Sequence, residues 1–299
     1  MTHSARLILV FILSHSFSII CQAESSRAGY TADSSIDDLV PIKTIFANPE
    51  KIGVRVSPNG KYLSYLTNID GRLNIKIAPS DKFFEDKLIT KQQNIISYSW
   101  LPDSRHILYL QDSDGDENYY IEIINIDNLK VTRITEKRGV KAKLVKVSSK
   151  KPNEVLIAIN IRSKGVFDLY KVNLITSQKT IIYQNDLKFI KYIADEDLNL
   201  RFALRTKDKF GHDIYKFDQN NKATILKIRG KSLYIVTPLH LTSDGKYLYA
   251  IDRTLKDTSM LIRINTISNK VERVFHNKKA ELSDSIAMID NNISPLDML

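Results

Sequence analysis

An all-β fold of repeated four-stranded units is what this sequence predicts, and three observations carry the prediction. From residue 54 onward, short runs of alternating or continuous apolar residues are separated by clusters of Asn, Asp, Gly and Pro, the residues that end strands and form tight turns. Five turn-plus-strand segments recur at a nearly constant interval. Helical periodicity is almost absent; the one candidate is a turn or two of helix in "DLVPIKTIFANPE" (38–50), ahead of the first strand.

The repeat runs in order along the chain. "SPNGKYLSYL" (57–66), "LPDSRHILYL" (101–110), "KPNEVLIAIN" (151–160), "DEDLNLRFAL" (195–204) and "TSDGKYLYAI" (242–251) align at Asn59, Asp103, Asn153, Asp197 and Asp244, with spacings of about 44, 50, 44 and 47 residues. Each then continues with a further strand: "LNIKIA" (73–78), "YYIEIINI" (119–126), "FDLYKVNL" (167–174), "HDIYKFD" (212–218) and "SMLIRINT" (259–266). Another turn and strand follow, as in "NLKVTRIT" (128–135), "SQKTIIY" (177–183) and "SNKVERVF" (268–275). One such sheet cannot bury both of its faces, so neighbours must stack around an axis, and the period is that of a propeller blade.

The fold class is therefore a β-propeller of four-stranded blades, about five of them complete. Extending the last interval from Asp244 puts the next turn near residue 291, where "MIDNNISPL" (288–296) supplies Asn291 and Asn292. This begins an incomplete sixth blade. Two alternatives follow: the segment near 280–290 closes the ring with the N-terminal segment, or the ring stays an open arc with exposed apolar blade faces.

The chain has 299 residues, 43% hydrophobic and 26% charged, which suits a globular protein with a sizeable core. Its start, with Arg6, the apolar run Leu7 to Ile20 and Ala23 at a cleavage point, is that of a secretory signal peptide. The run is short of the roughly 20 residues that cross a bilayer, so no membrane span is expected after signal cleavage. The expected organisation is a signal peptide at 1–23, a flexible linker at 24–39 and the incomplete propeller at 40–299, in a periplasmic or secreted protein. Cys21 is the only cysteine and leaves with the signal, which excludes a disulfide framework, a thiol nucleophile and a cysteine zinc site.

The net charge of +10 raises the question of a polyanion partner. The lysines are scattered over strand ends and turns, the densest groups being Lys141 with Lys143, Lys150 with Lys151, and Lys278 with Lys279. None is interleaved in sequence with an aromatic stacking platform, so the expectation is a solvated basic surface and no nucleic acid.

"LQDSDGDENYYIEIIN" (110–125) gathers Asp112, Asp114, Asp116 and Glu117 ahead of a β-branched run. Counted from Asp112, Gly115 is fourth and Ile123 twelfth, whereas a calcium loop of the EF-hand type needs Gly sixth and Glu twelfth. The segment occupies the place of an inter-strand turn in every other repeat, so it is expected to be a hairpin loop. No catalytic, cofactor-binding or metal residue is assigned.

Three stretches carry a family resemblance: "RVSPNGKYLSYLTNIDGRLNIKI" (55–77), "YSWLPDSRHILYLQDSDGDENYYIEIINID" (98–127) and "FDLYKVNLIT" (167–176). They resemble the N-terminal β-propeller of the prolyl oligopeptidase family of serine peptidases, in its secreted dipeptidyl aminopeptidase and acylaminoacyl peptidase-like branch. The resemblance covers roughly residues 40–297 and is most specific around Trp100 and "DSRHILYLQDSDGDEN". The "SPNGKYLSY" piece also resembles TolB-type propellers, which implies an alternative as a stand-alone periplasmic module binding an envelope protein.

The prolyl oligopeptidase resemblance implies that the propeller gates an α/β-hydrolase domain bearing a Ser, Asp and His triad, the serine held in G-x-S-x-G on a strained turn. None of the ten glycines here brackets a serine at that spacing. His106 is expected in a strand, His212 in a blade turn, and His240 and His276 near strand ends, all without a triad context. No catalytic residue carries over. The implied function is the gating portion of a peptidase, inactive alone, with a separately encoded hydrolase domain or peptide substrates as partners and no cofactor.

Overall fold

Side chains alternate between the two faces of a strand, so a run such as "VLIAI" (155–159) in the third repeat needs an apolar neighbour on both sides of its sheet. The computed structural model describes residues 50–293 apart from 92–93, 113–114, 116–117, 137–138, 209–210, 229–230, 233–235, 255–257, 283–287 and 290–291. The expected signal peptide, linker and helical turn ahead of residue 50 lie outside the described residues.

The described chain is all β, in five four-stranded antiparallel sheets, each a meander in sequence order. Blade I holds β1 (Ile52–Val56), β2 (Tyr62–Ile69), β3 (Arg72–Pro79) and β4 (Lys87–Leu88). Blade II holds β5 (Ile95–Trp100), β6 (His106–Gln111), β7 (Tyr120–Asn125) and β8 (Val131–Arg133). Blade III holds β9 (Ala142–Val147), β10 (Glu154–Ser163), β11 (Val166–Asn173) and β12 (Lys179–Tyr183). Blade IV holds β13 (Lys191–Ala194), β14 (Leu200–Asp208), β15 (Gly211–Phe217) and β16 (Ala223–Ile225). A two-stranded pair, β17 (Lys227–Ile228) and β18 (Lys231–Ser232), precedes blade V, which holds β19 (Val236–Leu241), β20 (Tyr247–Asp252), β21 (Met260–Asn265) and β22 (Val271–His276). Beyond it β23 (Met288–Ile289) pairs antiparallel with β24 (Asn292–Ile293), at the place where the repeat spacing put a sixth turn. This is the β-propeller blade arrangement read from the sequence.

The cores lie in the seams between blades. Leu66, Ile75 and Ile77 of blade I meet Ile95, Trp100, Ile107 and Ile124 of blade II. The other face of blade II, with Leu108, Ile121 and Ile123, meets Val155, Ile157 and Ile159 of blade III. Leu156 and Ala158, the intervening residues of that run, face Tyr192, Ala203 and Tyr215 of blade IV. Phe202, Leu204 and Ile214 of blade IV close against Leu248, Ala250 and Ile262 of blade V.

The outward faces of the first and last described blades each receive an apolar side chain from a neighbouring segment of the chain. On blade I, Phe83 packs 5.7 Å from the ring of Tyr65, whose hydroxyl donates to Asp86. On blade V, Leu282 folds back onto Tyr249, Ile251 and Leu261. There the Leu282 N–H donates to Ser259 Oγ at 3.1 Å, and Glu281 accepts from Ser259 N at 3.1 Å.

Removing side-chain volume from a seam leaves a cavity between two rigid sheets. Ile107→Ala, at a residue with no exposed surface, is expected to cost about 2–5 kcal/mol by denaturant midpoint. Ile175→Ala, at a residue 74% exposed, should stay within about 0.5 kcal/mol.

Candidate functional site: the turn face and the inner strands

A meander puts its first and third turns at one end of the sheet and its hairpin between the second and third strands at the other. The first turns share one build. In blade I, Ser57 Oγ lies 2.8 Å from Asn59 Oδ1 and accepts the Tyr62 N–H, while Asn59 Oδ1 accepts the Lys61 N–H. In blade V, Thr242, Asp244, Lys246 and Tyr247 repeat the arrangement. The fourth turn residue is left-handed: Gly60 at φ 72° and Gly245 at φ 70°, with Ser104 at 57° and Leu198 at 62° in blades II and IV. Gly245 is further constrained because a Cβ there would meet Arg201 Nη1 at 3.3 Å.

Hydrogen bonds tie each blade to the next. Asn59 N donates to Ser104 Oγ at 3.0 Å, and Lys87 Nζ reaches Ile126 O at 3.4 Å, joining blades I and II. Lys146 Nζ meets Glu196 Oε1 at 2.5 Å, and Ser148 Oγ donates to Glu196 O at 2.5 Å, joining blades III and IV. Lys191 and Lys216 donate to the Pro238 and Thr266 carbonyls of blade V at 2.9 and 2.5 Å. Burial, with the Lys146 ammonium, holds His240 on β19 below the ordinary histidine value against the opposing pull of Glu196.

Two polar nodes are buried in the seams. Between blades I and II, Ser64 Oγ accepts the Trp100 indole N–H at 2.8 Å and lies 3.1 Å from the Tyr98 hydroxyl, which donates to Gly53 O at 2.7 Å. Between blades III and IV, Arg162 grips Asp168 through two bonds of 3.0 and 2.9 Å, and Asn185 N donates to Asp168 at 2.7 Å. The Arg162 guanidinium and the Asn185 N–H hold the Asp168 carboxyl below its ordinary value, against the opposing effect of burial.

The acidic loop joins β6 to β7, which pair antiparallel from His106↔Asn125 to Gln111↔Tyr120, so it is the hairpin connection expected. Asp114, Asp116 and Glu117 of that loop are outside the described residues. Among the described residues no three His, Cys, Asp or Glu side chains gather as a metal-binding group.

His106 opens β6, with Nδ1 2.5 Å from Asp103 Oδ2 and Nε2 3.0 Å from Asn125 Nδ2. Asn125 Oδ1 is committed to the Asp127 and Asn128 N–H groups, so its amide nitrogen faces the ring and makes Nε2 an acceptor. His106 therefore carries its proton on Nδ1 and pins a turn. His212 is the second residue of β15, which corrects its placement in a turn: the strand begins at Gly211, where pairing with Asp208 starts. His276 ends β22 and lies 2.8 Å from Thr258 Oγ1, tying the outer strand to the hairpin end.

Two of the lysines meet rings that lie far from them in sequence. Lys141 Nζ sits 4.5 Å from the Tyr119 ring centroid and Lys143 Nζ 4.2 Å from that of Phe167, so this pair does have aromatic partners. The rings come from segments distant in sequence, brought in when Ala142 N donates to Tyr119 O at 2.7 Å and β9 pairs with β10. A cleft of about 610 Å³ between blades III and IV is lined by Lys171, Asp195, Arg201 and Phe217 among others. Its charges are met internally, Asp195 by Arg201 at 3.1 Å and Lys171 by Glu154 at 3.6 Å.

Five seam-packed meanders define a β-propeller, and the chain is similar to the propellers of prolyl oligopeptidase-family peptidases. It is 31% identical over 278 residues to dipeptidyl aminopeptidase BIII of Pseudoxanthomonas mexicana, an alignment covering 90% of this chain and 40% of that protein. The chain thus spans well under half the length of this relative. Among solved structures it superposes on a prolyl endopeptidase with a TM-score of 0.57 and 10% identity, over 75% of this chain and 35% of the other. A puromycin-hydrolysing peptidase of Mycobacterium tuberculosis gives 0.55 and 13%, over 75% and 37%. No family profile matches the sequence.

Two changes test the polar nodes. Ser64→Ala leaves a buried indole N–H without its acceptor and should cost about 1–3 kcal/mol by denaturant unfolding. Asp168 has a folded-state value below its ordinary 3.8, so its contribution is present above that pH and is lost as pH falls through the lower folded-state value. Asp168→Asn should lower the melting temperature at pH 7 and flatten its fall as the pH drops below about 4.

Proposed function

We propose that this chain is the substrate-gating propeller portion of a secreted, periplasmic or extracellular prolyl oligopeptidase-like serine peptidase, and that it is non-catalytic by itself. The observation that supports this most is the pairing of two facts. Similarity to a dipeptidyl aminopeptidase runs along 90% of the chain, and no G-x-S-x-G occurs anywhere in it.

A nucleophilic serine needs a histidine base in hydrogen-bond reach and donors aimed at the oxyanion. Of the four described histidines, His106 is engaged with Asp103 and Asn125 in a turn and His276 with a threonine at a sheet edge. The reactive groups would reside on an α/β-hydrolase domain, and short peptides would be what the propeller admits to it. The apolar run at 7–20 and Ala23 support export. Among the described residues no helix is long and apolar enough to cross a membrane.

The purified chain is assayed on dipeptidyl and aminoacyl chromogenic substrates, alone and mixed with a hydrolase domain encoded next to it. The expected result is no turnover above a buffer blank alone, and a change in size selectivity of the hydrolase domain when the chain is added. Turnover by the chain alone that a serine-directed inhibitor abolishes would overturn the proposal.

A further inference from the structure

The cleft of about 610 Å³ between blades III and IV is walled by β11 and β12 on one side and by the first and third turns of blade IV on the other. Its volume is that of a small-molecule pocket. Seven of its lining residues are polar or charged and four are apolar. The apolar four, Ile182, Leu198, Leu200 and Phe217, all belong to the core cluster of this seam and give the cleft an apolar floor.

Leu198 stands there in a strained conformation. Its turn position is Gly60, Ser104 and Gly245 in blades I, II and V, yet it holds a leucine at φ 62° whose side chain is only 3% exposed. A residue with a side chain costs roughly 1–2 kcal/mol in the left-handed region. The packing that Leu198 completes at the floor is what offsets that strain.

The two cations of the cleft already have partners, Arg201 Nη1 with Asp195 at 3.1 Å and Lys171 Nζ with Glu154 at 3.6 Å. An anionic ligand would have to displace those carboxylates. What the cleft leaves open is hydrogen-bonding capacity of both kinds. Asp218 uses Oδ1 for the Asn220 and Lys222 N–H groups, each at 2.9 Å, and its other oxygen has no partner among the described residues. Gln219 and Asn221, on the same turn, are exposed, and their carboxamides make no hydrogen bond among the described residues. A carboxylate only accepts, a carboxamide donates and accepts, and the Arg201 guanidinium has donors beyond the one given to Asp195. Hydroxyl groups answer all three, since each donates and accepts.

We infer that this seam cleft binds a neutral polyhydroxylated ligand of one or two sugar rings. Its hydroxyl groups bond to Asp218, Gln219, Asn221 and Arg201, while the apolar C–H face of a ring lies on Leu198 and Ile182. The site uses no group of a hydrolase domain, so it stands or falls separately from the gating function.

The test uses the purified chain with maltose, cellobiose and N,N'-diacetylchitobiose as probes. Two controls accompany them: N-acetylalanylalanine amide, a neutral peptide, and ethanolamine, a small cation. Binding is read by saturation-transfer NMR and calorimetry. At least one disaccharide should bind with a Kd of about 1 mM or tighter. Raising the salt should leave that affinity unchanged, because the ligand carries no charge. Asp218→Asn keeps an oxygen for the two turn N–H groups and should weaken binding about tenfold. Ile182→Trp, on the edge strand of blade III, fills the cleft and should abolish binding; thermal melting checks that each variant folds. A six-unit oligosaccharide of the bound sugar separates the sources: equal affinity identifies a free sugar, and tighter binding identifies a glycan chain.

Failure of all three disaccharides to bind, tighter binding of either control, or unchanged affinity in Asp218→Asn and Ile182→Trp overturns the site. If Ile182→Trp does not fold, Asp218→Asn decides alone.

Discussion

Burial between neighbouring sheets governs this structure, because each blade has two apolar faces and can cover neither by itself. Strand β10 shows the constraint in five residues, with Val155, Ile157 and Ile159 facing blade II and Leu156 and Ala158 facing blade IV. A blade removed from the series would leave two seams open, not one. Stability in such a series is the sum of each unit and its contacts with adjacent units, so a defect weakens two neighbours and reaches others only through them. The same constraint explains why Phe83 lies on the outward face of blade I and Leu282 on that of blade V.

The polar architecture is subordinate to those seams and gives them their registry. Ser, Thr, Asn and Asp side chains bond to the backbone within the turns, while lysines such as Lys87, Lys191 and Lys216 extend apolar stems along a blade and donate to carbonyls of the next. Several of the lysines thus serve blade-to-blade contact.

The blade order was legible in the sequence because period-two alternation and turn residues are local signals. The strands around Asn59, Asp103, Asn153, Asp197 and Asp244 fell where the spacing put them. The lysine–aromatic pairs were not legible. Tyr119 lies 22 residues from Lys141, and Phe167 lies 24 from Lys143, and only hydrogen-bonded sheet pairing brings each to its partner. His212 was misplaced for a related reason: Gly211 reads as a turn residue, yet it pairs with Asp208 and opens the strand. The Trp100–Ser64–Tyr98 node was equally hidden, since a serine in a strand does not announce which indole it will meet.

Trp100 has one more consequence. It is the single tryptophan of the chain, and it is sealed between the first two blades with its indole nitrogen bonded to Ser64. Excited near 295 nm, the whole polypeptide would emit from this one location. A red-shifted spectrum would then report water entering the seam between blades I and II, while opening at the other seams among the described residues would leave the colour of the emission unchanged.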